Sequence, residues 1–329
     1  MIRKTKIIAT LMVITLLLTL VTACQKPAEE DLVQPEIINV SYSLRPINVP
    51  TIVALDKKFF EEDFSKEAIE VKWYELEGPA TVEALAAKSV DIATSLNYVS
   101  AIITKANGKD IKVIANFSKF PKGIGLVART DKDITTAKDL LGKKIALQTG
   151  TMLHEMLIRL LEQNNIDINS VEIVGMPSPD AANAVVQGQV DAAIIPEPLL
   201  TKTISSGEVK LLQTAEDLIL GQSFIAVRTE FLTQYPELVK KFLQLHQYTL
   251  NWSDLNKEDA LLLASETIQM PQQMVEKLYP KFDFTLQITE ADIENLKNSA
   301  RFLQDWGFIK KNIDIESLVE DLIDISYLP

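Results

Sequence analysis

The chain has 329 residues, 47% of them hydrophobic and 24% charged, a balance that excludes a disordered, collagenous or multi-pass membrane protein. Its formal charge of −12 leaves no basic footprint for a nucleic acid. One cysteine excludes a disulfide framework or a zinc site built on several thiolates, and two histidines, His154 and His246, leave little room for a histidine-rich centre; no metal or cofactor is expected.

Residues 1–23 carry Arg3, Lys4 and Lys6 ahead of an apolar run from Ile7 to Val21, the layout of an export signal. The run ends Leu20-Val21-Thr22-Ala23-Cys24, which resembles a bacterial lipobox. Cleavage there makes Cys24 a lipidated N-terminus and leaves 30 Lys+Arg against 45 Asp+Glu, a net of −15. Residues 24–36 are polar and aperiodic and read as a tether. The body is expected to be monomeric, held at the outer face of a membrane.

From residue 37 the pattern is strand, helix, strand, helix, strand. Ile37 to Leu44 is a strand, Pro50 to Phe60 a helix, Glu70 to Tyr74 a strand, Ala80 to Lys88 a helix and Asp91 to Ser95 a strand. This is the grammar of a parallel α/β unit. A further strand is expected over Lys112 to Asn116.

The second half repeats that order. Lys144 to Gln148, Val171 to Val174 and Asp191 to Ile195 read as strands, separated by helices opening after Thr149-Gly150-Thr151 and spanning Asp180 to Gln187. Val90-Asp91 and Val190-Asp191 lie 100 residues apart, as do Gly78-Pro79 and Ser178-Pro179. Two similar runs ending in Arg-Thr, 125–130 and 224–229, flank the second unit and read as strands where the chain leaves one lobe and returns to it. Helices near 235–252, 257–269, 272–279 and 289–305 complete the chain. The expected division is 37–128 plus 225–329 for lobe one and 129–224 for lobe two.

The lipobox, Leu140-Leu141-Gly142-Lys143-Lys144-Ile145-Ala146, the run Asp180 to Ala193, Ile195-Pro196-Glu197-Pro198 and Trp306-Gly307-Phe308-Ile309 together resemble ABC-importer substrate-binding proteins of the NMT1/THI5-like group, which includes SsuA-like sulfonate receptors. The resemblance implies a type II periplasmic-binding-protein fold. That means two doubly wound α/β lobes joined by two crossing strands, with a helical C-terminal segment packed on lobe one. It also implies capture of a small polar solute (sulfonate, nitrate-like or pyrimidine) in the cleft and delivery to permease and ATPase subunits. Two other readings go with the group: a pyrimidine-precursor enzyme, and a sensory lipoprotein that keeps the fold. No Ser-His-Asp, Cys-His or paired-carboxylate pattern supports the enzyme.

In such sheets ligands lie beyond the carboxyl ends of the strands, facing helix N-termini. That rule selects Asn48, Asn97, Tyr98 and Phe117 from lobe one, and Thr149, Thr151, Asp180 and Glu197 from lobe two. Helix capping competes for Thr149, Thr151 and Asp180, core packing for Tyr98 and Phe117, and a solvated turn for Glu197. Carboxylates beside hydroxyl and amide donors suit a solute carrying both an acidic and an amino or ring N–H group.

Overall fold

The computed structural model describes residues 34–329 apart from Arg45 and Glu77; the export signal, Cys24 and most of the tether lie outside the described residues. The first half runs β1 (Ile37–Tyr42), α1 (Val49–Lys57), α2 (Phe59–Phe64), β2 (Glu70–Glu75), α3 (Pro79–Ala86), β3 (Ile92–Asn97), α4 (Tyr98–Ala106) and β4 (Ile111–Lys119). The second comprises β5 (Ile124–Arg129), β6 (Lys144–Leu147), α5 (Met152–Gln163), β7 (Glu172–Gly175), α6 (Ser178–Val186), β8 (Ala192–Pro196), α7 (Leu199–Ile204) and β9 (Val209–Thr214). The chain then forms β10 (Gln222–Arg228), α8 (Thr229–Gln234), α9 (Pro236–Leu255), α10 (Lys257–Thr267), α11 (Gln272–Leu278), α12 (Glu290–Asp305) and α13 (Ile315–Leu322).

Two five-stranded sheets result, ordered β2-β1-β3-β10-β4 and β7-β6-β8-β5-β9. The sheets share one plan. Three parallel strands come first, and the fourth, β10 or β5, is antiparallel to both neighbours. The similar runs ending in Arg-Thr are therefore these equivalent fourth strands. Because β5 pairs only within the second sheet and β10 only within the first, the chain changes sheet at 120–123 and 215–221. This differs from the expected division, which left residues 124–128 in lobe one.

The duplication is visible atom by atom. Asp91 accepts the backbone N–H of Asn39 at 2.8 Å, and Asp191 accepts that of Lys144 at 3.0 Å. In each sheet the carboxylate at the head of the third strand thus holds the neighbouring parallel strand. The Arg closing the fourth strand donates its N–H to the same aspartate's carbonyl, Arg228 to Asp91 at 3.0 Å and Arg129 to Asp191 at 3.2 Å.

Strands buried on both faces read as apolar runs, as in Ala192–Ile195, while helices carry one apolar stripe. In α5 that stripe is Leu153, Met156, Leu157, Leu160 and Leu161, and Thr151 caps the helix by accepting the N–H of Leu153 at 3.2 Å. The helix expected from Pro50 to Phe60 is broken at Lys58, whose φ of 54° starts a second helix. On lobe one, α9 packs Leu238, Phe242 and Leu243 against one face of the sheet. The other face is covered by α12 and α13 through Leu296, Leu303 and Val319, together with α4. The second lobe has its own two apolar layers, one under α5 and one under α6 and α7.

Candidate functional site

A cavity of about 520 Å³ lies where the carboxyl ends of both sheets meet. Lobe one contributes Ser43 and Pro46 after β1, Leu76 and Gly78 after β2, Thr81 in the first turn of α3, and Ser95, Leu96 and Asn97 at the end of β3. Ser178 and Pro179 at the start of α6, and Pro196 to Leu199 at the end of β8, face them from lobe two. Phe120 and Gly123 come from the first crossing segment, and Ile268 and Met270 from the loop after α10.

Two physical features follow from this construction. Helices α3, α4 and α6 all begin at the wall, and first-turn N–H groups lack intrahelical acceptors, so the cavity collects donors and the positive ends of helix dipoles. Gly78 enters α3 with φ of +54°, a conformation open to glycine. Leucine, isoleucine, methionine, phenylalanine and proline carbons form the rest of the wall. Among the described lining residues there is a single formal charge, on Glu197.

That charge is already engaged. Glu197 directly follows β8 and leads into α7 through a cis peptide to Pro198, and its side chain has no exposed surface. Oε1 accepts hydrogen bonds from the Lys281 ammonium and from the Thr201 hydroxyl, the latter at 2.8 Å. Oε2 accepts the Thr201 N–H at 3.0 Å, satisfying a first-turn donor of α7. Lys281 belongs to lobe one: its neighbours Phe282 and Phe284 lie in that lobe's core, and Asp283 pairs with Lys119 at the end of β4. The ion pair therefore joins the two lobes beside the cavity.

Asn97 also reaches the wall, and it caps α4 by accepting the Ser100 N–H at 2.9 Å. The other expected contacts lie elsewhere, and each has a local reason. Phe117 is fully buried, packed against His246 and Phe284. Tyr98 is fully buried and donates to Glu155 at 2.7 Å, so it points behind the cavity rather than into it. Asn48 is buried and donates to the Ser43 carbonyl, one layer beneath the lining. Thr149 packs against Gly175 and Thr151 caps α5; neither lines the cavity. Asp180 is exposed in the first turn of α6, one residue past the lining pair Ser178-Pro179.

Sequence reasoning missed Ser43, Thr81, Ser178 and Lys281. A signal for Ser178 was present: Gly78-Pro79 and Ser178-Pro179 stand 100 residues apart at helix starts, and Gly78, Ser178 and Pro179 line the cavity. Lys281 carries no such mark, because its partner is 84 residues away.

Lobe two also grips lobe one behind the cavity. His154 of α5 meets Phe302, Trp306 and Phe308 edge-on, with ring centroids 5.5 to 6.4 Å apart. Burial lowers the His154 pKa, favouring the neutral ring.

Residues 46–253 match the family described as NMT1/THI5 like. A Bacillus subtilis (strain 168) protein named for aliphatic sulfonate binding is 30% identical over 293 residues, covering 88% of this chain and 86% of its own. The crystal structure of the Escherichia coli periplasmic aliphatic sulphonate binding protein SsuA superposes with a TM-score of 0.78 at 22% identity, over 88% of this chain and 99% of that one. The alkanesulfonate-binding SsuA of Xanthomonas axonopodis pv. citri, solved with MOPS bound, gives 0.76 at 20% identity over the same shares. At such identities these structures establish the fold, and it is the two-lobed periplasmic-binding-protein fold that the sequence led us to expect.

Proposed function

The chain belongs to the NMT1/THI5-like family, and from that premise we propose that it is the extracytoplasmic receptor of an ABC importer whose solute is a small organosulfonate. The observation that carries the proposal is the chemistry of the cavity wall: neutral donors and helix N-termini facing apolar carbon, with the single described charge neutralised. A sulfonate stays ionised at all physiological pH and presents three acceptor oxygens. Helix N-termini and the hydroxyls of Thr81, Ser95 and Ser178 can satisfy such a group without a cationic side chain.

The apolar half of the wall separates an organic sulfonate from a bare inorganic anion. Leu76, Leu96, Phe120, Ile268 and Met270 give nothing to nitrate or sulfate but shield an alkyl or ring tail from water. Named relatives support the same class. Closure follows from the placement of the donors on both lobes: a solute bridging them binds the closed form more tightly than the open one and shifts the population toward it. The lipobox supports attachment through Cys24, which holds the receptor near its permease.

Isothermal titration of the purified protein tests the proposal. Short alkanesulfonates should bind at least about a hundredfold more tightly than nitrate or sulfate, the margin expected when an apolar tail is buried with the anion. Equal binding of sulfate and butanesulfonate would count against an organic solute.

A further inference from the structure

We propose that Lys281 sets the choice of solute: it neutralises the buried carboxylate of Glu197 in the cavity lining, so the site accepts sulfonates with an uncharged tail and turns away those bearing an amine. The inference rests on the sulfonate-receptor function proposed above and narrows it.

An ammonium group entering the cavity gives up its water and needs an anionic acceptor in return. Among the described lining residues Glu197 is the one candidate. Its two oxygens already hold the Lys281 ammonium, the Thr201 hydroxyl and the Thr201 N–H. Lys281 is fastened in place by its own chain, between Tyr279, packed against the lobe-one core cluster, and the Lys119–Asp283 pairing. A tethered cation competes at an effective concentration that a free solute does not reach. Asn97 offers no substitute, since its amide carries no charge and its Oδ1 already caps α4 by accepting the Ser100 N–H. The chain has thus neutralised, from lobe one, the carboxylate that an amino-sulfonate would need on lobe two.

Ethanesulfonate and 2-aminoethanesulfonate differ by one amine and are the probes. Calorimetric titration of the intact protein should give at least roughly tenfold tighter binding of ethanesulfonate. In Lys281→Met the Glu197 carboxylate loses its cation, and the preference should narrow by about tenfold or reverse. In the double variant Lys281→Met, Glu197→Gln, 2-aminoethanesulfonate should gain nothing, because the freed acceptor is gone. Thermal unfolding reports whether each variant is folded; should Lys281→Met fail to fold, Lys281→Gln, which keeps a donor without the charge, replaces it with the same expectation. Equal affinities in the parent, or a preference that Lys281→Met leaves unchanged, overturns the role of Lys281 while the receptor function stands. If a folded parent binds neither probe, the sulfonate function falls first and this inference with it.

Discussion

Glu155, on α5 of the second lobe, accepts the phenolic proton of Tyr98, on α4 of the first, at 2.7 Å. The other carboxylate oxygen accepts the hydroxyl of Ser299 on α12 at 2.8 Å, and Arg159 stands 3.6 Å away on the same helix. Lobe two therefore inserts a buried carboxylate into lobe one, and lobe one supplies two of the groups that make its burial tolerable.

Tyr98→Phe keeps the ring and removes one of those donors. Loss of a hydrogen bond to a buried carboxylate should lower the unfolding free energy by roughly 1–3 kcal/mol. Burial pushes the Glu155 carboxyl above its ordinary 4.5, against the pull of Tyr98, Ser299 and Arg159. A carboxyl raised on folding binds its proton more tightly in the native state, so stability declines as pH rises through the folded pKa. The variant exaggerates this. Denaturant unfolding should show its deficit largest at pH 7.5 and smaller at pH 4; a deficit independent of pH would show that Glu155 does not feel the phenol.

His246 gives the opposite slope. It is 3% exposed, and burial lowers its pKa from 6.5 to about 4. The unfolded chain takes up a proton first, so stability present above about 6.5 is lost as pH falls toward 4, by on the order of 3 kcal/mol. His246→Leu should flatten the pH dependence of unfolding over that interval. An unchanged slope would place the acid sensitivity elsewhere.

The duplication was legible because it rests on backbone chemistry. An aspartate that receives an N–H from the neighbouring strand has few substitutes, and so Asp91 and Asp191 kept a spacing of 100 residues. The cavity was legible only at the strand ends that reach it, as with Asn97 and Glu197. Tyr98 and Phe117 occupy equally suggestive positions, but helices formed by residues 236–305 cover them, and sequence proximity does not reveal which face a distant helix will take. The same distance hid Lys281, whose ammonium donates to the Glu197 carboxylate.

The two crossings touch at Gly221. Its carbonyl accepts the N–H of Phe120 at 2.7 Å, its φ is +50°, and a Cβ there would stand 2.9 Å from the Cα of Pro121. Backbone, not a flexible side chain, blocks the added atom. Gly221→Ala should therefore destabilise the protein by roughly 1–3 kcal/mol through strain and crowding at the junction. Gly207→Ala, also at positive φ but with open space around the Cβ, carries the φ strain alone and should cost less. Equal melting temperatures for the two variants would show that the crossings have room to separate.

Cys24→Ala tests the anchor independently of the cavity. The variant should leave the membrane fraction on cell disruption, while the purified protein keeps the solute affinity of the parent. Retention in the membrane fraction would mean that Cys24 is not the lipidated residue.

Asn97 separates capping from recognition. Its Oδ1 accepts the Ser100 N–H while the residue lines the cavity, so Asn97→Ala confounds a lost cap with a lost wall group. Aspartate caps a helix as well as asparagine does and interacts favourably with the helix dipole, so Asn97→Asp should leave the melting temperature of the unliganded protein nearly unchanged. What it adds is a negative charge at the wall of a cavity proposed to hold an anion. In a site shielded from water such a charge repels strongly, and alkanesulfonate affinity should fall by at least about tenfold, less so in high salt only if the cavity stays open to solvent. Titration at two ionic strengths, with thermal unfolding as the control, reads both effects. Undiminished affinity in a folded Asn97→Asp variant would place the sulfonate away from the α4 terminus, toward Ser178 and the other lobe.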